Sequence, residues 1–213
     1  MVEAANDAVG FTVKSGWASA VLMTGSATAV HLVDARRVDL SNPQLPESRQ
    51  PYHAGTGTAR PDGPELSRLV TSVESFGKQS VTEAIDSYQH AGYRLRGLGV
   101  VVGSLIDPNG IANAHIRIHA LEGRLFRRVV EEAAAERHLP CSTWRERDLY
   151  GVAARVLRQQ ESHLRRVLKA CGETTGGPWR AEQKAAALAA WLVLADPEDG
   201  GRGRRSENQK PNP

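Results

Sequence analysis

Lys14, followed by Ser15 and Gly16, is the first place in the chain where charge and backbone shape can meet. A tight turn presents amide N–H groups, and an ammonium beside them adds the charge that holds a phosphate-like anion. Arg49 or His53 completes such a site if the segment carrying them folds back on the turn; otherwise Lys14 is an exposed residue of a plain hairpin. Arg155, Arg158, Arg165, Arg166 and Lys169 form the second candidate. At helical spacing they fall largely away from the apolar positions of their segment, and a basic helical face can track a phosphate backbone in a salt-sensitive way. Glu161 and Glu173 interrupt that face and no aromatic residue interleaves it, so it equally reads as solvated surface. His115 and His119 are four apart, as in a helical metal pair, but together with His138 and His163 they offer no third ligand in register, and no metal is expected there. Cys141 and Cys171 lack metal-ligand spacing and read as ordinary thiols.

The elements that must position these residues follow from periodicity. Phe11 to Val13, Ala18 to Met23 and Ala27 to Val33 are apolar and β-branched runs. Ser15-Gly16 and Thr24-Gly25-Ser26 separate them, which predicts a three-strand antiparallel meander. Residues 41–63, with five prolines up to Pro64 and three glycines, break every regular period and predict a long loop, the kind that carries function or stays disordered; Pro46 to His53 is its candidate binding segment. Apolar residues at helical spacing predict a helix from Pro64 to His90, with Pro64 in the first turn, Gly92 beyond the end and a kink at Gly77. Leu98 to Val102 is a continuous apolar run that fits a strand covered on both faces. A helix from Asn113 to Arg137 follows, stopped by Pro140 and burying Ile118, Leu121, Leu125, Val129 and Ala133. Then come an edge strand from Ser142 to Arg147, one helix from Leu149 to Cys171, and a closing Ala-rich helix from Trp179 to Ala195. Trp17, Trp144, Trp179 and Trp191 are scattered, as core or edge packing would have them.

Composition bounds what such a chain can be. Hydrophobic residues make up 40% of its 213 positions and charged residues 24%, the profile of a folding globular chain. No apolar stretch approaches the roughly 20 residues of a membrane span. Met1 to Asp7 is acidic with no apolar run behind it, so a cytoplasmic location is expected. The reading is residues 1–9 as a flexible start, 10–195 as one domain interrupted by the 41–63 loop, and 196–213 as a disordered tail made basic by Arg202, Arg204, Arg205 and Lys210. A net charge of +3 permits nucleic acid as a partner without demanding it.

The order of elements, βββ-α-β-α-β-α-α, is that of the ribonuclease H-like fold: a three-strand meander, then alternating helices and parallel strands in a mixed five-stranded sheet with flanking helices. Leu121-Glu122-Gly123-Arg124, the Leu139-Pro140 break, the helix around Glu161 to Leu168 and the closing Arg180 to Ala189 segment resemble the RuvC-type Holliday-junction resolvases. The resemblance covers about residues 10–40 and 94–195. It implies two Mg²⁺ ions gripped by carboxylates from the first strand, the fourth strand and the last helix, because Mg²⁺ takes hard oxygen ligands and paired ions stabilise both oxygens of phosphodiester cleavage. This sequence departs from that pattern. The first-strand position falls at Val13 or Lys14, the fourth strand ends in Gly103-Ser104, and only Glu182 lands near an implied acid. The expectation is a non-catalytic domain without a cofactor, acting by binding a nucleic acid or a protein partner, with a homodimer as the ordinary prior. Two alternatives stand beside it: a diverged Mg²⁺-dependent nuclease recruiting Asp107, Glu122 and Glu182, and a phosphate- or nucleotide-binding protein centred on Lys14.

Overall fold

Alternation along the first strand decides the architecture. In the computed structural model, which describes residues 6–55, 58–173 and 176–196, β1 (Asp7–Lys14) turns Val9, Phe11 and Val13 to one face and Ala8, Gly10 and Thr12 to the other. Both faces are covered, so the strand is apolar almost throughout. It pairs antiparallel with β2 (Trp17–Gly25), which pairs antiparallel with β3 (Val30–Asp39). On its other side β1 runs parallel to β4 (Leu95–Val102), and β4 runs parallel to β5 (Cys141–Arg145), giving one sheet in the order β3-β2-β1-β4-β5.

One face of the sheet lies under α1 (Pro64–His90) and α2 (Ala114–Glu136), with Phe11, Val100, Val73, Ile85, Phe126 and Val129 in a common core. The other face receives α5 (Ala181–Ala195), which is backed by α3 (Leu149–Val156) and α4 (Glu161–Glu173). From Ala185 to Leu192 every residue of α5 is buried, as expected of a helix covered all round. Its alanines allow a very close approach to the sheet. A Cβ built on Gly10 would lie 1.8 Å from the Ala186 carbonyl oxygen, and one on Gly99 would lie 2.7 Å from that of Ala189. Glycine is required at both positions because α5 occupies the space a side chain would need. Among the described residues, no helix is long and apolar enough to cross a membrane.

The sequence expectations need four corrections. The third strand starts at Val30 and runs to Asp39, not from Ala27 to Val33. The Ser26 hydroxyl accepts from the amides of Thr28 and Ala29, which pulls residues 26–29 into the turn. The expected single helix from Leu149 to Cys171 is two: Arg158 takes a left-handed φ of 53°, and the Gln159 amide returns to the Ala154 carbonyl, closing α3 without any glycine. The start read as flexible contains the first residues of β1, beginning at Asp7. Gly77 does not kink α1. It is buried where the Leu40 carbonyl and Val129 press on the helix, and a Cβ there would meet both inside 3 Å. The basic tail lies outside the described residues, apart from Asp196.

Residues 41–55 and 58–63 form an ordered excursion with a 3₁₀ turn at Pro46–Arg49. The buried Ser48 hydroxyl ties this turn to Asn42 through both its amide and its carbonyl. Arg60 holds the next stretch, donating to the carbonyls of Pro51 and His53 while pairing with Glu65 on α1.

Candidate functional site

The parallel strands β1 and β4 end side by side, and a cleft of about 330 Å³ opens there against the first half of α2. Its floor is Val13, Val102 and Phe126; its polar lining is Lys14, Ser15, Ser104, His119, Arg124 and Arg127, with no Asp or Glu among the described residues that form it. Lys14 spans the end of β4, its Nζ lying 3.0 Å from Glu146 Oε2 in the turn after β5. Arg124 stands 3.6 Å from Asp107, and Arg127 stands 3.4 Å from Glu131 one helical turn on. Each cation therefore has one acidic neighbour outside the cleft and none inside it. The loop does fold back on the first turn. Gly16 has a left-handed φ of 82°, and the stem of Arg49 packs where its Cβ would be, 2.6 Å from Arg49 Cγ.

The three carboxylates of the diverged-nuclease reading do not converge. Asp107 is exposed and caps the turn after β4, accepting from the Asn109 amide. Glu182 sits in the first turn of α5, on a different cleft shared with Arg36, Arg37 and Arg180. Glu122 is fully buried. The sequence alone carries a sign of this: Glu122 falls on the apolar stripe of α2 between Ile118 and Leu125, where a carboxylate needs a buried partner. That partner is His53, whose Nδ1 lies 2.8 Å from Glu122 Oε1, while Glu122 Oε2 is buried with no hydrogen-bond partner. Burial pushes the Glu122 carboxyl above the usual carboxylate range, with His53 pulling the other way.

His53 brings more than a partner for Glu122. His115 and His119, whose spacing gave a pair without a third member, stand beside it on the first turns of α2. The three rings lie with centroids 4.6, 4.9 and 6.2 Å apart. They form the one group of three or more His, Cys, Asp or Glu side chains, among the described residues, whose ligand atoms all lie within 4.8 Å of one another. Burial and the two neighbouring imidazoles hold His119 below the ordinary histidine range. Nothing local in the sequence links position 53 to positions 115 and 119, and this is the feature that sequence reasoning missed.

No family model and no curated protein matches the sequence. Solved structures do match the architecture. The Thermus thermophilus RuvC structure superposes with a TM-score of 0.52 over 87% of this chain and 92% of its own, at 11% identity. T. thermophilus RuvC in complex with Holliday junction substrate gives 0.53 over 88% and 91%, at 10% identity. The fold is ribonuclease H-like, of the RuvC type. The yeast mitochondrial Holliday junction resolvase Ydc2 also matches, at a TM-score of 0.48, 7% identity and coverage of 92% and 82%.

On this RuvC-type scaffold the positions that the resemblance expects to be acidic are chemically different. The β1 side chain that reaches the last helix is Thr12, not Val13 or Lys14; its hydroxyl donates to the Glu182 carbonyl at 2.9 Å. Val13 faces the opposite core. The end of β4 offers Gly103 and the Ser104 hydroxyl, and α5 offers Glu182 alone. Neither a hydroxyl already donating to the protein nor an ammonium holds Mg²⁺ in the way a carboxylate pair does. The basic face of the second half is also altered by the fold. Arg155 belongs to α3, Arg158 to the break, and Arg165 to α4, where it lies 3.8 Å over the Tyr150 ring and 3.5 Å from Glu161. They do not make one continuous helical stripe.

Proposed function

We propose that the protein binds nucleic acid through the cationic cleft at the ends of β1 and β4 and does not cleave it by a two-metal route. The carrying observation is the lining of that cleft: Lys14, Arg124 and Arg127 with two serine hydroxyls, and no carboxylate among the described residues. A polyanion gains from every phosphate it brings to such a surface, because it releases condensed counterions as it docks. Mg²⁺, which needs hard oxygen ligands, finds no carboxylate to grip there among the described residues. The neighbouring fold supports the same direction, since a RuvC of this architecture has been solved on a Holliday junction substrate.

Fluorescence anisotropy on a four-way junction, a duplex and a single strand, with and without Mg²⁺ or Mn²⁺, tests the reading. Binding should fall steeply between 50 and 200 mM salt (roughly 10-fold or more), and every substrate should stay intact. Metal-dependent turnover that disappears in Glu182→Ala would overturn the non-catalytic half; absence of binding to all three at low salt would overturn the other half and leave a protein partner. The cleft volume of about 330 Å³ also lies at the lower end of small-ligand pockets, which favours phosphate or a nucleotide as a second reading. Competition of free nucleotide against labelled DNA, with loss of nucleotide binding in Lys14→Ala, would identify that case.

A further inference from the structure

Two anchored segments bring three imidazoles together. Asn113 caps α2 through its side chain on the Ile116 amide, and Arg117 donates to the carbonyls of Ile111 and Ala112, so the first turn that carries His115 and His119 is fixed. On the other side Arg60 grips the carbonyls of Pro51 and His53. His115 and His119 lie one helical turn apart with their Nε2 atoms 3.2 Å from each other. His53 arrives from the loop with its Nδ1 engaged by Glu122, which leaves Nε2 as the ring nitrogen available to a ligand.

We propose that His53, His115 and His119 form a binding site for a zinc-class divalent transition metal, with Glu122 as the carboxylate that orients His53 and balances its charge. Three neutral imidazoles suit Zn²⁺ and its neighbours among the transition metals, and exclude Mg²⁺ and Ca²⁺, which require oxygen. Tetrahedral zinc at about 2.0–2.1 Å from each nitrogen needs ligand atoms somewhat over 3 Å apart, close to the separation of the two helical Nε2 atoms. A carboxylate behind a ligating histidine is the usual outer support of such a site. The metal reading also gives a reason for Glu122. A carboxylate buried with one side-chain partner and an orphaned second oxygen is costly by itself, and a dication on the far nitrogen of its histidine offsets that cost. A plain buried His53–Glu122 pair would account for those two residues but not for two further imidazoles meeting at the same point. His115 and His119 are exposed, so the fourth position is open to water or to an anion from the adjoining cleft, which His119 also lines. Metal binding does not require the nucleic-acid reading, although His119 is common to both places, and His53 ties its segment to α2.

The test uses untagged full-length protein stripped with chelator. Calorimetric titration with Zn²⁺ should give one ion per chain at about micromolar affinity or tighter, and Co²⁺ should give the visible absorption of a tetrahedral nitrogen site. His115→Ala, at an exposed position that leaves the fold intact by circular dichroism, should weaken binding by roughly 100-fold or more, and Glu122→Gln by roughly 10- to 100-fold. His53→Ala should match His115→Ala, and Zn²⁺ should raise Tm in the wild type only. Lack of saturable Zn²⁺ binding, or His115→Ala binding as the wild type does, would overturn the proposal. So would unchanged binding in a folded His53→Ala, because the helical pair alone would then be the ligand.

Discussion

Glu146→Gln should make the protein bind DNA more tightly, although it alters a residue outside the cleft. Lys14 and Glu146 pair at 3.0 Å with side chains 32% and 40% exposed, which places them among solvated ion pairs. Such pairs are worth about 0.2–1 kcal/mol, and that is what a phosphate must displace before it can use Lys14. Removing the carboxylate returns up to about 1 kcal/mol, or roughly a fivefold gain in affinity at most, larger at low salt than at high. It also frees one cation to release a counterion, so the slope of log K against log salt should steepen by up to about 0.9. Anisotropy titrations at four salt concentrations give both quantities. The double variant Lys14→Ala/Glu146→Gln separates the pair from a general loss of negative charge, since the gain should vanish when Lys14 is absent. The reasoning fails if Glu146→Gln leaves affinity unchanged or lowers it, or if the gain survives in the Lys14→Ala background.

Further outcomes follow from the same geometry. Arg124→Ala and Arg127→Ala should each reduce the salt slope by up to about 0.9, and Lys14→Ala by less because Glu146 already holds that ammonium; slopes equal to the wild type in all three would place the polyanion elsewhere. Gly10→Ala should cost about 1–3 kcal/mol, lowering Tm by roughly 3–10 °C, because its methyl would sit 1.8 Å from the Ala186 carbonyl; Gly99→Ala, with 2.7 Å to Ala189, should cost less, and the reverse order in denaturant melts would refute the packing argument. Burial pushes the Cys141 thiol up to about 12 from 9.0, with Glu131 adding to the shift, so its thiolate at pH 8 is about 1000-fold scarcer than in the unfolded chain. Because folding raises this pKa, the thiol's contribution to stability is intact below pH 9 and is lost as pH climbs towards 12; Cys141 reacting with a thiol reagent at pH 8 as fast in native as in denatured protein would contradict it.

Local chemistry was legible wherever one segment carried the whole signal. The first long helix starts at Pro64 and ends at His90 as its apolar spacing requires, with Gly92 beyond it at a φ of 95°. The apolar run ending at Val102 forms a parallel strand covered on both faces, and the antiparallel meander joins it in the expected mixed five-stranded sheet. Helix ends were less legible where the terminating residue was neither Gly nor Pro. Arg158 takes left-handed backbone at a φ of 53° and lets the Leu157 and Gln159 amides reach back over the last turn of α3, whereas α2, with Pro140 after it, ends where it was expected to. Those bonds are made by main-chain groups that every residue has, so residue type does not announce them.

The candidate sites divide along the same line. The candidate cleft was legible at Lys14 only as a tight turn whose amides stand beside an ammonium. Its two arginines were not, since nothing local in the sequence of α2 sets them beside the strand ends. For the histidine cluster the informative residue was Glu122 and not any histidine. A glutamate at the centre of an apolar helical stripe must either find a buried partner or cost the fold several kcal/mol. Position 122 therefore demands something that the helix itself does not contain, and the long irregular segment carrying His53 supplies it. Once that segment is committed to α2 by the Glu122 carboxylate, His53 has to arrive beside the histidine at 119, one turn earlier on the helix, and the convergence of three imidazoles follows from burying one acid.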